Sequence, residues 1–185
     1  MNYYISDLHL GHYNIIKLCH RPFISLEEMN ETIIKNWNEI ITPNDTVYIV
    51  GDFAYKDAGL GLRLCQRLNG HKILIEGNHD WKNLQDPNFR NCFDEIHQQL
   101  TITDNNKMIF LSHYPTVEWD GYYRNSLHIF GHIHNNVTNS TYHNICLIDP
   151  EVRMLNCGCD ITNFKPVTLD ELIKINKDFR KRFKG

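Results

Sequence analysis

Five apolar runs in this chain each stop at a cluster of aspartate, asparagine or histidine, and that recurrence constrains the fold more than any other feature. Tyr3-Tyr4-Ile5-Ser6 breaks at Asp7-Leu8-His9, and Thr46-Val47-Tyr48-Ile49-Val50 stops at Gly51-Asp52. Ile73-Leu74-Ile75-Glu76 ends in Gly77-Asn78-His79-Asp80. Lys107 to Leu111 stops at Ser112-His113, and Leu127-His128-Ile129-Phe130 at Gly131-His132-Ile133-His134. Asn and Asp serve turns, but no turn geometry requires a histidine between them. One such cluster alone is as often a solvated turn, and a lone histidine is more often surface or core than ligand. Five clusters ending five strands are not accidental. Near-continuous apolar runs separated by helical stretches predict sheets covered on both faces. In open α/β sheets, ligand-binding groups gather beyond the carboxyl ends of the strands. If these strands are neighbours, all five clusters meet at one edge.

The intervening segments read as helices and loops. Ser25 caps a predicted helix from Leu26 to about Ile41, with Glu28 at capping-box spacing and Met29, Ile33, Ile34 and Trp37 on one apolar stripe. That stripe is core packing. A second helix is expected from about Asp57 to Leu68, and a short one near Asn83 or Asn88. Ile96–Thr103 and Lys107–Leu111, joined by Asp104-Asn105-Asn106, read as a hairpin. A polar loop of Asn, Thr and Ser follows His134, then a strand around Val152 to Asn156. Thr168 with Glu171 opens the last helix. The pattern holds no linker, repeat or second core, so one domain over residues 1–185 is expected.

Composition narrows the function. A hydrophobic fraction of 42% with 22% charged residues is that of an ordinary soluble globular protein. A net charge of −3, with no basic, aromatic-rich stripe, argues against tight binding of duplex nucleic acid. The basic end, Lys177 to Lys184, reads as the solvated face of a terminal helix. Six cysteines are scattered without a C-x-x-C pair, so no structural zinc is expected. Cys157 and Cys159 read as core thiols. No secretory leader pattern and no membrane-length apolar segment are evident, and a cytoplasmic protein with reduced thiols is expected.

The strand ends supply Asp7, His9, Asp52, Asn78, His113, His132 and His134, with His79 and Asp80 to spare. Oxygen and imidazole donors without thiolate suit borderline divalent ions, with Mn the first candidate and Fe, Co, Ni or Zn the others. Seven side chains exceed one tetrahedral site and fit two ions sharing a carboxylate.

In their order, Asp7-x-His9, Gly51-Asp52, Gly77-Asn78-His79-Asp80, His113 and Gly131-His132-x-His134 resemble the calcineurin-like metallophosphoesterases. The match runs from Asp7 to His134. The resemblance implies an α/β fold: a two-sheet β-sandwich flanked by helices, four layers in αββα order. It also implies that Asp7, His9, Asp52 and His134 hold one divalent ion and that Asp52, Asn78, His113 and His132 hold a second, with Asp52 bridging. His79 would serve the leaving group. Two divalent ions against two aspartates and a bridging hydroxide leave the site near about +1, attractive to phosphate and able to activate that water for in-line attack. Protonated His79 then donates to the leaving oxygen.

The chain departs from many relatives at Tyr55 and Lys56, where an Asp and an Arg are usual. The carboxylate partner of His79 is thereby missing from its expected position, leaving Asp57 and Asp80 as substitutes, and Asp80 joins His79 as a candidate catalytic residue. The phosphate grip is expected from His12 or Arg21. Without the bidentate arginine, a monoanionic diester is favoured over a monoester. The expected function is hydrolysis of a small phosphate ester, more specifically a phosphodiester, by a metal-dependent hydrolase. The alternatives are a nuclease on short single-stranded oligonucleotides and a catalytically weak binding module. Loops over Tyr13–Phe23 and Trp119–Arg124 are expected to shape the substrate pocket.

Overall fold

Alternation along the apolar runs sets the layers. In the computed structural model, which describes residues 1–136 and 140–183, Tyr3 and Ile5 of the first strand point to one apolar cluster and Tyr4 to another. Val47 and Ile49 join the first of these clusters, and Tyr48 and Val50 the second. Strands β1 (Asn2–Ile5), β2 (Thr46–Ile49), β3 (His71–Ile75) and β4 (Glu95–His97) form one sheet in that order, all parallel. Such strands are buried on both faces, which is why their sequences run apolar without a polar side.

The second sheet is β5 (Gln99–Asp104), β6 (Lys107–Ser112), β7 (Leu127–Phe130) and β8 (Met154–Asn156). β5 and β6 form an antiparallel hairpin, and β7 and β8 continue parallel to β6. Ile109, Leu111, Leu127, Ile129 and Leu155 face Tyr4, Tyr48, Val50 and Ile75 between the sheets. Phe110, Phe130 and Met154 face the other way.

Helices close both outer faces. α1 (Tyr13–Leu18), α2 (Leu26–Asn38), α3 (Ala58–Cys65) and α4 (Pro87–Arg90) set Ile15, Ile33, Trp37, Leu64 and Phe89 against the first sheet. α5 (Ser140–Ile148) and α6 (Leu169–Arg180) bring Tyr142, Ile145 and Phe179 to the second. The result is the expected α/β architecture, two four-stranded sheets flanked by helices. Ser25 Oγ accepts from the Glu28 amide at 3.1 Å, a cap worth about 1 kcal/mol. The Glu28 carboxylate reaches past the cap to the Ile24 amide at 2.7 Å. At α6 the box forms as expected, Glu171 accepting from the Thr168 amide at 2.9 Å.

Two expectations need correction. The single strand read over Ile96–Thr103 is two strands that separate at Gln98, β4 closing one sheet and β5 opening the other. Hydrophobic alternation identifies a strand but not its pairing partner. Part of the expected polar loop after His134 is α5, which buries Tyr142 and Ile145. Residues 137–139 of that loop, and Lys184 of the basic end, lie outside the described residues. Among the described residues no helix is long and apolar enough to cross a membrane.

His128 on β7 is fully buried among Phe110, Trp119 and Phe130. Its Nδ1 lies 3.3 Å from the Phe110 carbonyl, and its Nε2 accepts from the Thr116 amide at 3.2 Å. Both nitrogens are therefore satisfied in the neutral ring, and burial pushes its pKa down to about 4. A folded value below the unfolded one means that this stability is complete above the unfolded pKa of about 6.5 and is lost as pH falls toward 4. Urea unfolding should show a loss on the order of 2 kcal/mol between pH 7 and pH 5 from this ring. His128→Gln should be flatter over that window. Equal acid sensitivity of the two proteins would contradict the assignment.

Candidate metal centre

The carboxyl ends of β1, β2 and β3 and those of β6 and β7 open onto one edge, where the loops of neighbouring strands in each sheet are tied together. The Asp7 amide donates to the Gly51 carbonyl at 3.0 Å, His9 to Asp52 at 2.9 Å and Gly131 to His113 at 3.0 Å. Asp7, His9, Asp52, His132 and His134 all sit at positive φ, between 50° and 70°. Left-handed backbone at five polar residues costs roughly 1 kcal/mol or more each, and such strain gathers at functional sites. Gly51 is itself at φ +87°, and a β-carbon there would overlap the His113 ring. A β-carbon on Gly77 would overlap the Asp52 carboxylate. These glycines let the three loops close upon one another.

Asp52 lies at the centre. Its Oδ1 accepts from the His79 amide at 2.8 Å. Its Oδ2 stands 3.5 Å from His9 Nε2, 3.5 Å from His113 Nε2 and 4.0 Å from His79 Nε2. On one side, Asp7, His9 and His134 bring one ligand atom each within 4.8 Å of one another. On the other, Asp52, His113 and His132 do the same, and Asn78 Oδ1 lies 3.2 Å from His113 Nε2. All seven sequence-predicted ligands therefore gather at one place, in two groups that adjoin at Asp52.

The supporting contacts fix each donor. Asp7 accepts the His132 amide on both oxygens at 3.0 Å and the Ser6 hydroxyl at 2.6 Å. His113 Nδ1 lies 2.9 Å from the Val50 carbonyl, so its proton points there and Nε2 faces Asp52. His134 Nδ1 is held by Asp160 at 2.8 Å. Asp160 is the functional residue that the sequence reading missed. It follows β8 as Asp52 follows β2, but the three-residue strand and the intervening Cys157-Gly158-Cys159 hide the pattern.

Two expected site residues have other tasks. Arg21 was a candidate phosphate grip, yet its side chain is buried and its donors are spent. Nε and Nη2 engage Asp160 at 2.8 and 3.3 Å, Nη1 the Leu8 carbonyl at 2.9 Å, and Nη2 the Asp7 carbonyl at 2.7 Å. It props the first ligand loop from beneath. Asp80, read as catalytic or as the partner of His79, is fully buried and accepts from the Asp52, Phe53 and Gly77 amides at 2.8 to 2.9 Å. It latches the β2 and β3 loops together. His79 instead packs edge-on to His9, with ring centroids 5.2 Å apart, and lies 5.3 Å from Tyr55. Tyr55 stacks on His12 at 3.7 Å, and the Lys56 ammonium lies 4.8 Å over Tyr55. Tyr55 and His12 thus build an aromatic shelf beside His79. His12, on that shelf, still lines the pocket with His9, His79, His132 and His134.

Electrostatics fit a cation. His9 is 2% exposed, and neither ring nitrogen has a hydrogen-bond partner among the described residues. Such atoms cost about 1–3 kcal/mol each unless something binds them. Burial, together with the neighbouring His134 and Arg21, holds its pKa well below the usual value despite Asp52, so it presents neutral donors. Burial would also lower His113 and His134, but Asp52 lifts His113 to about 9 and Asp160 lifts His134 to about 11. The His113 and His9 imidazoles, with the His79 amide, hold the Asp52 carboxyl far below the ordinary range, overcoming its burial. Protons on His113 and His134 occupy places that divalent ions would take, and the oxygen and nitrogen donors of both groups suit such ions.

This arrangement defines a two-sheet α/β protein with a candidate metal centre at the shared strand edge. The chain belongs to the family of the uncharacterized protein MJ1445 of Methanocaldococcus jannaschii, with which it is 36% identical over 180 residues, 94% of this chain and 89% of that one. The crystal structure of AQ665 from Aquifex aeolicus, a protein of unknown function, superposes with a TM-score of 0.73 at 30% identity, covering 95% of this chain and 98% of that one. YfcE, a phosphoesterase from E. coli, superposes at a TM-score of 0.39 and 15% identity over 72% of this chain and 69% of that one, too loosely to bear on function. No protein-family model matches the chain.

Asp160 orients His134, and loss of such an outer partner typically lowers metal affinity about 10–100-fold. Asp160→Asn, which keeps the volume and a hydrogen-bond acceptor but removes the charge facing Arg21, should weaken binding of a divalent ion by the group at Asp7, His9 and His134 by about tenfold or more in calorimetric titration. The site at His113 and His132 should change little. Unchanged affinity at both sites would show that Asp160 serves Arg21 alone.

Proposed function

We propose that the protein is a metal-dependent phosphoesterase that hydrolyses a small phosphate ester, with phosphodiesters preferred. The observation that carries this reading is Asp52 Oδ2, placed between His9 and His113 at 3.5 Å from each, with both ring nitrogens of His9 unpartnered among the described residues. That is the geometry of a carboxylate shared between two donor sets. Divalent ions bound by Asp7, His9, Asp52 and His134 and by Asp52, Asn78, His113 and His132 would supply Lewis acidity and an acidic water for attack on phosphorus.

The chain's own residues do the rest. His79 lines the pocket, 36% exposed, with Nε2 4.0 Å from Asp52, a position from which it donates a proton to the leaving oxygen. Tyr55 and His9 flank its ring and fix its orientation. Asp80 serves indirectly, by holding the Asp52 and Gly77 loops in register. Asn78 and His12 remain to bind phosphate oxygens as hydrogen-bond donors or as ligands. With Arg21 committed beneath the site, no lysine or arginine lines the pocket among the described residues. A dianionic monoester lacks the added cation it needs, and a monoanionic diester asks for less.

Bis-nitrophenyl phosphate and nitrophenyl phosphate, assayed with the Mn-loaded protein, test this directly. The diester should have the higher kcat/KM, and a chelator should abolish both rates. In the same assay His79→Ala should lose about 10²–10⁴-fold on an alkyl leaving group and much less on nitrophenolate, which needs little protonation. Higher kcat/KM on the monoester would overturn the diester preference. Equal losses in the variant would make His79 a phosphate-positioning group.

A further inference from the structure

The centre opens on two sides of Tyr114. One cavity, about 500 Å³, holds the histidine cluster and the apolar wall of Ile15 and Leu18. The other, about 410 Å³, begins at Asn78 and His113 and extends away from the histidine cluster. Trp81 and Tyr114 line it, 59% and 49% exposed, with Gln98, Gln99 and Thr116. The Tyr114 ring has fixed supports. Tyr114 packs edge-on against His113 at 5.2 Å and His132 at 4.6 Å. Trp81 directly follows the latched Asp80. Thr116 Oγ1 is buried at this groove without a hydrogen-bond partner.

The chemistry of the lining selects its occupant. Two exposed π-faces accept a flat ring, while two primary amides and a hydroxyl offer both donors and acceptors at its edge. Away from the centre the groove has no lysine or arginine among the described residues, and Glu76 is its one carboxylate, so it does not attract a second phosphate. A neutral, planar group bearing hydrogen-bonding edges fits, and it must be joined to a phosphate that reaches Asn78 and His113. We propose that this groove is a nucleobase subsite and that the substrate is a nucleoside phosphodiester, its base stacked on Trp81 and Tyr114 and its edge read by Gln98, Gln99 and Thr116. This assignment rests on the phosphoesterase reading of the centre. Aromatic stacking of a base is worth enough to change affinity about tenfold or more, and it tolerates different bases.

The test compares two diesters with the same leaving group, thymidine 5′-(nitrophenyl phosphate) and methyl nitrophenyl phosphate, on the Mn-loaded protein. The thymidine ester should have a kcat/KM about tenfold or more higher, the difference residing in KM. Trp81→Ala should bring the ratio of the two close to one, and Trp81→Phe, which keeps a ring, should retain most of it. A wild-type ratio near one, or a ratio unchanged in Trp81→Ala, overturns the proposal. A fall in both rates alike assigns the groove to the leaving group and also overturns it. If neither ester is hydrolysed with any divalent ion, the phosphoesterase reading fails, and binding decides the subsite separately. Adenosine 5′-monophosphate should then quench the emission of Trp81, since Trp37 and Trp119 are buried, and Trp81→Phe should lose that quenching. No quenching in the wild type would end the proposal.

Discussion

The carboxylate of Asp52 is the point on which the two halves of this site depend. It is buried, and it stands at the end of a parallel strand within 3.5 Å of imidazoles carried by β1's loop and by β6 in the other sheet. An isolated carboxylate there would be strongly disfavoured by desolvation. It is tolerated because the His79 amide and three imidazoles surround it, and because those groups are held by loops that cannot relax away. The Asp80 latch, the close-packed Gly51 and Gly77 and the five left-handed backbones all serve that closure. Strain and burial are concentrated where cations would repay them.

Beneath the ligands lies a second layer of fixed charge. Arg21 and Asp160 form a buried pair whose net worth to stability is small, since desolvation offsets the attraction. Its use is positional. Arg21 ties the Asp7 and Leu8 carbonyls, and Asp160 sets the tautomer and tilt of His134. The two ligands farthest apart in sequence are thus indexed to one guanidinium. On the other flank, Tyr55 and His12 stack into a shelf beside His79. Position 55 therefore gives His79 an aromatic neighbour.

The strand-end ligands were legible in the sequence because each follows an apolar run directly, and parallel strands bring such ends to one edge. The two-sheet layering was legible through the family resemblance, less so through periodicity, because buried parallel strands do not alternate. What was not legible follows from the same physics. Arg21 reads as a candidate phosphate grip because one sequence position does not reveal that Asp160, 139 residues away, lies beside it. The division at Gln98 was hidden because pairing is a tertiary choice. α5 was hidden because the polar run ahead of it reads as loop, while its two buried side chains, Tyr142 and Ile145, are seen only in the fold. Trp81 and Tyr114 gave no signal, since a pair of exposed aromatics acquires meaning only when a groove is seen between them.

The central claim is that Asp52 joins two donor sets. Metal content measured by elemental analysis, after loading with Mn and removing excess ion, tests it most directly. The account predicts two ions per wild-type chain and a loss at both sites in Asp52→Asn, because each set shares that carboxylate. A wild-type chain that retains no more than one ion, or a variant that loses one site and keeps the other intact, would contradict it.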